Sequence, residues 1–305
     1  MGIGRHQPAT PGPDYMREFE ISPDVDDSRF SRRLAGRDQL GNEIEVDVVE
    51  ERPLTLWLNG TEVVTMMTVG DHSKELAVGF LLNQNMLQPE DEITDIEFHA
   101  DIATVVVRTT GQASYEEKLQ RKIRTSGCAQ GTVFGDIMEK FDTVSLAQDA
   151  VLKTSWLYNL FYKINHQPSL YLKAGGIHGC VLCHEDTPLI YMEDVGRHNA
   201  VDKIAGHMYL NDIAADDKIF FTTGRLTSEM VIKTVQMGIP ILLSRSGFTA
   251  WGVELARQAD LTLIGRAKGK HFQVLSGEHR LEFDADPDRV AEESSRHRRK
   301  GADNA

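Results

Sequence analysis

Between residues 218 and 265 the chain alternates in a regular way: KIFFTTG, TSEMVIKTVQMG, IPILLSRS, TAWGVELARQA, LTLIG. Three short, almost unbroken apolar runs separated by two segments with helical spacing read as strands buried on both faces and joined by helices. Strands connected by helices pair in parallel through right-handed crossovers. The pattern therefore predicts an α/β fold built around a parallel or mixed sheet.

The remaining segments fit around that sheet. GIHGCVLC and LIYMEDV read as strands around a His-Glu-Asp-Thr-Pro turn, RHNAVDKIAGHMY as a helix, SWLYNLFYKINH as an amphipathic helix and YEEKLQRKIR as a charged helix or helical turn. Nearer the start, EIEVDVV alternates, LTLWLNGTEVVTMMTV forms two strand-like runs around Asn59-Gly60, and SKELAVGFLLNQNML has helical spacing. IEFHA and ATVVVRTT read as a further hairpin. The expected organisation is a disordered tail over 1–40, a small α+β subdomain over 41–113, an α/β domain over 114–290 and a disordered tail over 291–305.

A chain of 305 residues with 41% hydrophobic content can bury a substantial core. Its formal net charge of -13 argues against general nucleic-acid binding, which needs a basic surface. No apolar run is long enough for a signal peptide or a membrane span, and His6 breaks the myristoylation pattern, so a soluble cytoplasmic protein is expected. In that compartment Cys128, Cys180 and Cys183 should be thiols.

An anionic ligand of so acidic a protein must meet a local cluster of positive charge. Arg225, Arg245 and Arg266 each follow one of the three apolar runs, at the strand ends where open α/β sheets bind ligands. Thr227 and Ser228 are placed to cap one following helix and Thr249 the next, while Lys268 and Lys270 extend the basic cluster. Together these groups suggest a phosphorylated ligand carrying a pyrophosphate or several phosphates. The competing interpretation pairs each arginine with a neighbouring carboxylate. Neither a dinucleotide fingerprint nor a P-loop occurs, which disfavours nicotinamide cofactors and ATP.

CVLCH, residues 180–184, matches a haem-attachment motif and half of a zinc site. On a strand, however, Cys180 and Cys183 point to opposite faces, and no second cysteine pair completes a deaminase-type zinc site. Buried cysteines without zinc or haem are expected. His178, Glu193, Asp194, Arg197 and His198 form a denser polar group beside glycine-rich turns. They read either as a site or as a capped helix with an Asp194–Arg197 ion pair.

PLTLWLNGTEVVTMMTVGDHSKELAVGFLL, TSGC, GGIHGC, EDVGRHNAVDK, TSEMVIKTVQMGIPILLSRS and LTLIGRAKG, in that order over about residues 43–275, resemble the FdhD family, sulfur carriers required for formate dehydrogenase activity. The resemblance implies a cytidine-deaminase-like three-layer core without deaminase zinc chemistry. It also implies sulfur transfer from a cysteine desulfurase to a molybdenum or tungsten bis(molybdopterin guanine dinucleotide) cofactor inserted into formate dehydrogenase, and a homodimer. Cys128 matches the first cysteine of the family's C-x-x-C motif, which carries the persulfide. Arg266, Ala267, Lys268, Gly269, Lys270 and His271 match the cofactor-binding segment. The second cysteine of the motif is replaced by Gly131, so a two-cysteine relay is excluded at that site. Lys122 and Arg124 lie upstream of Cys128, where positive charge favours the thiolate. The alternatives are a cofactor chaperone that carries no sulfur and, more remotely, a zinc hydrolase built on Cys180, Cys183 and His184.

Overall fold

The computed structural model describes residues 19–87, 91–110 and 134–289. β1 (Ser31–Arg37) and β2 (Glu43–Val49) form an antiparallel two-stranded ribbon. Sequence patterning assigns residues 31–37 to a disordered tail because they show no apolar alternation. Charged side chains lie opposite one another along this ribbon, with Arg32 3.0 Å from Glu50, Arg37 3.4 Å from Glu43, and Arg33 3.7 Å from both Glu45 and Asp47. Residues 20 and 21 also depart from the expected tail: Glu20 N donates to Leu189 O at 2.8 Å, and Tyr191 N donates to Ile21 O at 2.9 Å.

β3 (Arg52–Leu58) and β4 (Thr61–Thr68) form the expected hairpin, and Asn59 and Gly60 turn it with φ of 46° and 87°. Next come α1 (Ser73–Asn83), β5 (Ile93–His99) and β6 (Thr104–Thr109). These strands make a sheet of order β4-β3-β6-β5, with β3 and β6 parallel. The inner face of α1, through Leu76, Phe80 and Leu81, packs with Leu56, Val105 and Val107 of the sheet.

The larger unit runs through α2 (Phe134–Thr143), β7 (Leu152–Lys153), α3 (Thr154–His166), α4 (Leu170–Lys173), β8 (His178–His184), β9 (Thr187–Asp194) and α5 (Arg197–Leu210). It continues with β10 (Lys218–Thr222), α6 (Ser228–Gln236), β11 (Ile241–Ser244), α7 (Ala250–Gln258), β12 (Thr262–Lys268), β13 (His271–Ser276) and β14 (Leu281–Glu282). Its main sheet has the order β13-β12-β11-β10-β8-β9. β10, β11 and β12 are parallel as expected, whereas β8 and β13 flank them antiparallel and β9 pairs antiparallel with β8. The sheet is therefore mixed: the β8–β9 hairpin precedes α5, which leads into the parallel centre, and the β12–β13 hairpin leads out of it.

Both faces of this sheet are buried. Leu182, Phe220, Leu242 and Leu263 meet Val201, Met230 and Leu255 of α5, α6 and α7 on one side. Val181, Phe221 and Leu243 meet Leu157, Leu160 and Phe161 of α3 on the other. Helices on both faces explain why these strands read as continuous apolar runs.

The two units join where α1 crosses α5. A Cβ on Gly79 would lie 1.7 Å from Asp202 O, and one on Gly206 would lie 1.9 Å from Glu75 O. Both obstacles are backbone, which a rotamer change cannot relieve. Gly-to-Ala in a helix interior ordinarily adds about 1 kcal/mol of helix stability. Here Gly79→Ala and Gly206→Ala are each expected to destabilise by at least about 3 kcal/mol, since overpacking outweighs propensity. Denaturant titration of the two variants checks this reversal of sign.

Candidate functional site

The EDVGRHNAVDK segment covers the end of β9 and the start of α5, and its structure divides the expected polar group into two environments. In the first, Lys203 is fully buried. Its ammonium contacts Asp71, lies 2.6 Å from Asp194 and donates to Glu193 O at 2.8 Å. Asp194 also accepts from Thr68 Oγ1 at 2.5 Å, Asn199 Nδ2 at 2.9 Å and Gly196 N at 3.1 Å. The expected Asp194–Arg197 pair is thus replaced by Asp194–Lys203. One α-helical turn separates Asn199 from Lys203, so both reach the same carboxylate from one face of α5.

Glu193 accepts from Leu170 N at 2.7 Å and Tyr171 N at 2.9 Å, tying down the start of α4. Burial pushes its carboxyl up to about 7, against the effect of those two hydrogen bonds. Asp202 accepts from Asn83 at 2.7 Å and from Lys233 at 2.7 Å on both oxygens. Thr68, Asp71 and Asn83 of the N-terminal unit were not singled out by sequence. They lie more than a hundred residues from their partners, and no local pattern marks them.

The second environment is cationic. Loops after β10 and β11 and the bulged part of β12 are laced by backbone bonds: Leu226 N to Gly247 O at 2.9 Å, Thr249 N to Leu226 O at 3.0 Å and Arg266 N to Ser246 O at 2.7 Å. Ser244 Oγ adds a bond to Gly224 O at 2.5 Å. Strand ends distant in sequence are thereby held as one rim.

Arg225 and Arg266 are exposed on this rim, and neither guanidinium group makes a hydrogen bond or ion pair among the described residues. Arg266 sits within β12 at an irregularity between Gly265 and Lys268, with φ of 52°, rather than beyond the strand's end. Arg245 is half-buried and donates to Asn165 Oδ1 of α3 at 2.8 Å. Ala267 is buried in the core facing α3, so its side chain offers nothing to a ligand. Lys268 and His271 are exposed partners in the hairpin register, with Gly269 and Lys270 as its turn. Gly269 has φ of 56°, a conformation glycine adopts readily.

Arg197 completes the contrast, because its guanidinium likewise has no hydrogen-bond or ion-pair partner among the described residues, and its Nε is buried. Several other arginines are ion-paired: Arg29 with Asp27, Arg108 with Asp95 and Glu97, Arg280 with Asp260. Cations left unpaired in a chain of net charge -13 mark where an anion can bind. Of the expected caps, Thr249 Oγ1 accepts from Gly252 N at 3.2 Å, whereas Thr227 Oγ1 makes no capping bond and is buried without a partner.

Cys180 and Cys183 are both fully buried and belong to the hydrophobic clusters on opposite faces of the main sheet. Burial pushes the Cys180 thiol up to about 12 and raises that of Cys183 as well. Their two sulfurs cannot meet at one metal. Cys128, Gly131, Lys122 and Arg124 lie outside the described residues.

Comparison with known proteins bears on what this rim serves. The sequence model of the FdhD/NarQ family matches residues 49–282. A protein from Bacillus pumilus called sulfur carrier protein FdhD is 30% identical over 237 residues, covering 77% of this chain and 90% of its own. The sulfur carrier protein FdhD of Listeria innocua is 30% identical over 260 residues, covering 82% and 98%. A crystal structure designated a putative formate dehydrogenase accessory protein, from Desulfotalea psychrophila, superposes with a TM-score of 0.67 at 26% identity, covering 83% of this chain and 98% of that one.

Two outcomes are expected of the site. Glu193 binds more protons folded than unfolded between its ordinary 4.5 and about 7, so its contribution is fully present below 4.5 and is lost as pH rises through 7. The stability advantage of the wild type over Glu193→Gln should therefore shrink across that window, by at most about 1.4 kcal/mol per pH unit, as denaturant titrations at several pH values would show. In native protein, thiol reagents should spare Cys180 and Cys183, which should react only after unfolding.

Proposed function

The chain belongs to the FdhD/NarQ family, and from that premise we propose that it carries sulfur from a cysteine desulfurase to a molybdenum bis(molybdopterin guanine dinucleotide) cofactor destined for formate dehydrogenase. Cys128 is the carrier. Its thiolate attacks the outer sulfur of the desulfurase persulfide; a new S–S bond forms on Cys128, the old one breaks, and the desulfurase cysteine leaves as thiolate. No external oxidant or reductant is needed for that exchange. Cys180 and Cys183 are unsuited to the role, because a buried thiol with a raised pKa supplies almost no thiolate at neutral pH.

The observation that carries the ligand half of the proposal is a set of guanidinium groups, those of Arg197, Arg225 and Arg266, that have no partner among the described residues and lie around the strand ends. Pyrophosphates of a guanine dinucleotide supply the charge these guanidinium groups lack. Lys268, Lys270 and His271 extend the same surface along the hairpin, and Arg245 supports it from the α3 side. The proposal includes a homodimer working in the cytoplasm and a cytidine-deaminase-like core that has no deaminase zinc chemistry. The opposite facing of Cys180 and Cys183 supports that last point.

Gly131 favours a second reading, a chaperone that holds the cofactor and docks on formate dehydrogenase without carrying sulfur. Mass spectrometry after incubation with a cysteine desulfurase and cysteine separates the two, because a persulfide adds about 32 Da to a thiol. The expected result is one added sulfur on the wild type and none on Cys128→Ala. Sulfur retained on Cys128→Ala sinks the relay, and an unmodified wild type favours the chaperone.

A further inference from the structure

The β1–β2 ribbon and a cavity beside α5 are not needed by the sulfur exchange or by the cationic rim. The ribbon pairs with no other strand among the described residues, and all of it but Val49 precedes the segment over which the family model matches. Opposite residues of an antiparallel pair share a face, so Arg33, Arg37, Glu43, Glu45 and Asp47 lie on one side and Leu34, Ile44, Val46 and Val48 on the other. Leu34 and Val46 are exposed, and Leu40, at the tip, is 78% exposed. The turn that carries Leu40 is firmly built. Asp38 Oδ1 accepts from Leu40 N at 2.9 Å and Asn42 N at 2.8 Å, Asp38 Oδ2 accepts from Asn42 Nδ2 at 2.8 Å, and Arg37 Nη1 donates to Gly41 O at 2.9 Å. An apolar side chain is thus held out into solvent on a preordered turn, which has little backbone freedom left to lose when a partner buries it.

The cavity, of about 600 Å³, lies where the C-terminal ends of α1, α5 and α6 come together. Leu82, Met208, Ile213 and Met237 supply apolar walls, and Lys140 and Asp212 supply one charge of each sign. Lys140 Nζ also donates to Leu82 O at 3.3 Å, and the Asp212 carboxylate has no hydrogen bond or ion pair among the described residues. Such a volume suits an apolar side chain together with part of the turn that presents it. Because Leu40 is exposed, it does not fill the cavity of its own chain.

We propose that the ribbon tip of one copy seats Leu40 in this cavity of a second copy, and that the exchange is reciprocal. This deepens the homodimer reading above, on which it rests, by naming the surface that joins the copies. Two identical contacts related by a two-fold axis close the assembly at a dimer. Arg37 and Glu43, which flank the tip, are opposite in sign to Asp212 and Lys140 of the cavity. Charge also opposes the rival arrangement, in which two ribbons pair edge to edge. β1 carries Arg32, Arg33 and Arg37, and β2 carries Glu43, Glu45 and Asp47, so β1 against β1 or β2 against β2 sets like charges side by side. The tip and the apolar face that continues from it through Leu34 and Val46 are left to make the contact. A two-stranded ribbon is marginal by itself in water, so docking its tip also supports its fold.

Sedimentation of the full chain and cross-linking from position 40 test the interface. The wild type is expected to form a dimer, and Leu40→Asp to weaken it at least about tenfold, as loss of a buried leucine at each of two contacts implies. For the second measurement, p-benzoylphenylalanine replaces Leu40 in a mixture of ¹⁴N- and ¹⁵N-labelled chains. Irradiation should join the tip of one isotope to residues 205–213 or 236–237 of the other. A dimer of unchanged strength in Leu40→Asp overturns the interface, and so do cross-links that fall elsewhere or within one chain. Leu40 is exposed, so Leu40→Asp should keep its fold; if its melting shifts, the cross-link decides. A wild type that stays monomeric overturns the homodimer reading and this interface together, whereas a dimer indifferent to Leu40 overturns the interface alone.

Discussion

The rest of the structure depends on one buried ammonium group. Burial alone would discharge Lys203, but Asp194 and Asp71 outweigh it and hold the group above its ordinary value. Asp71 belongs to the N-terminal unit and Asp194 to the main sheet, so the ion cluster exists only when the two are assembled. Such a pair contributes little net stability over an apolar replacement, whereas removing one partner costs about 3–5 kcal/mol. Its main effect is therefore on arrangement: misplaced packing of the two units would leave a charge buried and unpaired.

That arrangement positions the cationic rim. The helix that begins with Arg197 and His198 ends its first two turns with Lys203, so anchoring Lys203 sets the depth and rotation of the α5 N-terminus. Asp202, one residue earlier, engages Lys233 on α6, the helix that follows the loop bearing Arg225. Two adjacent residues of α5 thus fix both helices whose N-terminal ends border the cationic rim. Glu193 adds α4 to the same anchorage through its backbone acceptor bonds.

How much of this was legible in the sequence depended on distance along the chain. The strands and helices from 218 to 265, the Asn59-Gly60 turn and the opposite facing of Cys180 and Cys183 all follow from local periodicity, and the structure agrees. The rim could be foreseen because residues that end parallel strands share an edge whatever the details. What escaped was non-local. β1 of the terminal ribbon carries charged side chains and no apolar stripe, so residues 31–37 read as a tail. The sequence left the sheet parallel or mixed, and the antiparallel pairing of β8 and β13 makes it mixed. One of the two readings of the polar group paired Asp194 with Arg197, three residues away, whereas Lys203 and Thr68 are its partners in space. Ala267 shared a basic segment but faces the core, since side chains alternate along a strand and the irregularity at Arg266 resets which side they take.

The crossing of α1 and α5 has a mechanical consequence. Where helices meet backbone against backbone at Gly79 and Gly206, no side-chain layer remains that could slide or re-rotamerise to lubricate a shear. Close backbone contact at that crossing opposes sliding of α1 on α5. An induced response at the strand ends would then be felt by Arg225, Ser246 and the Gly269 turn, while the frame carrying them behaves as an inert chassis.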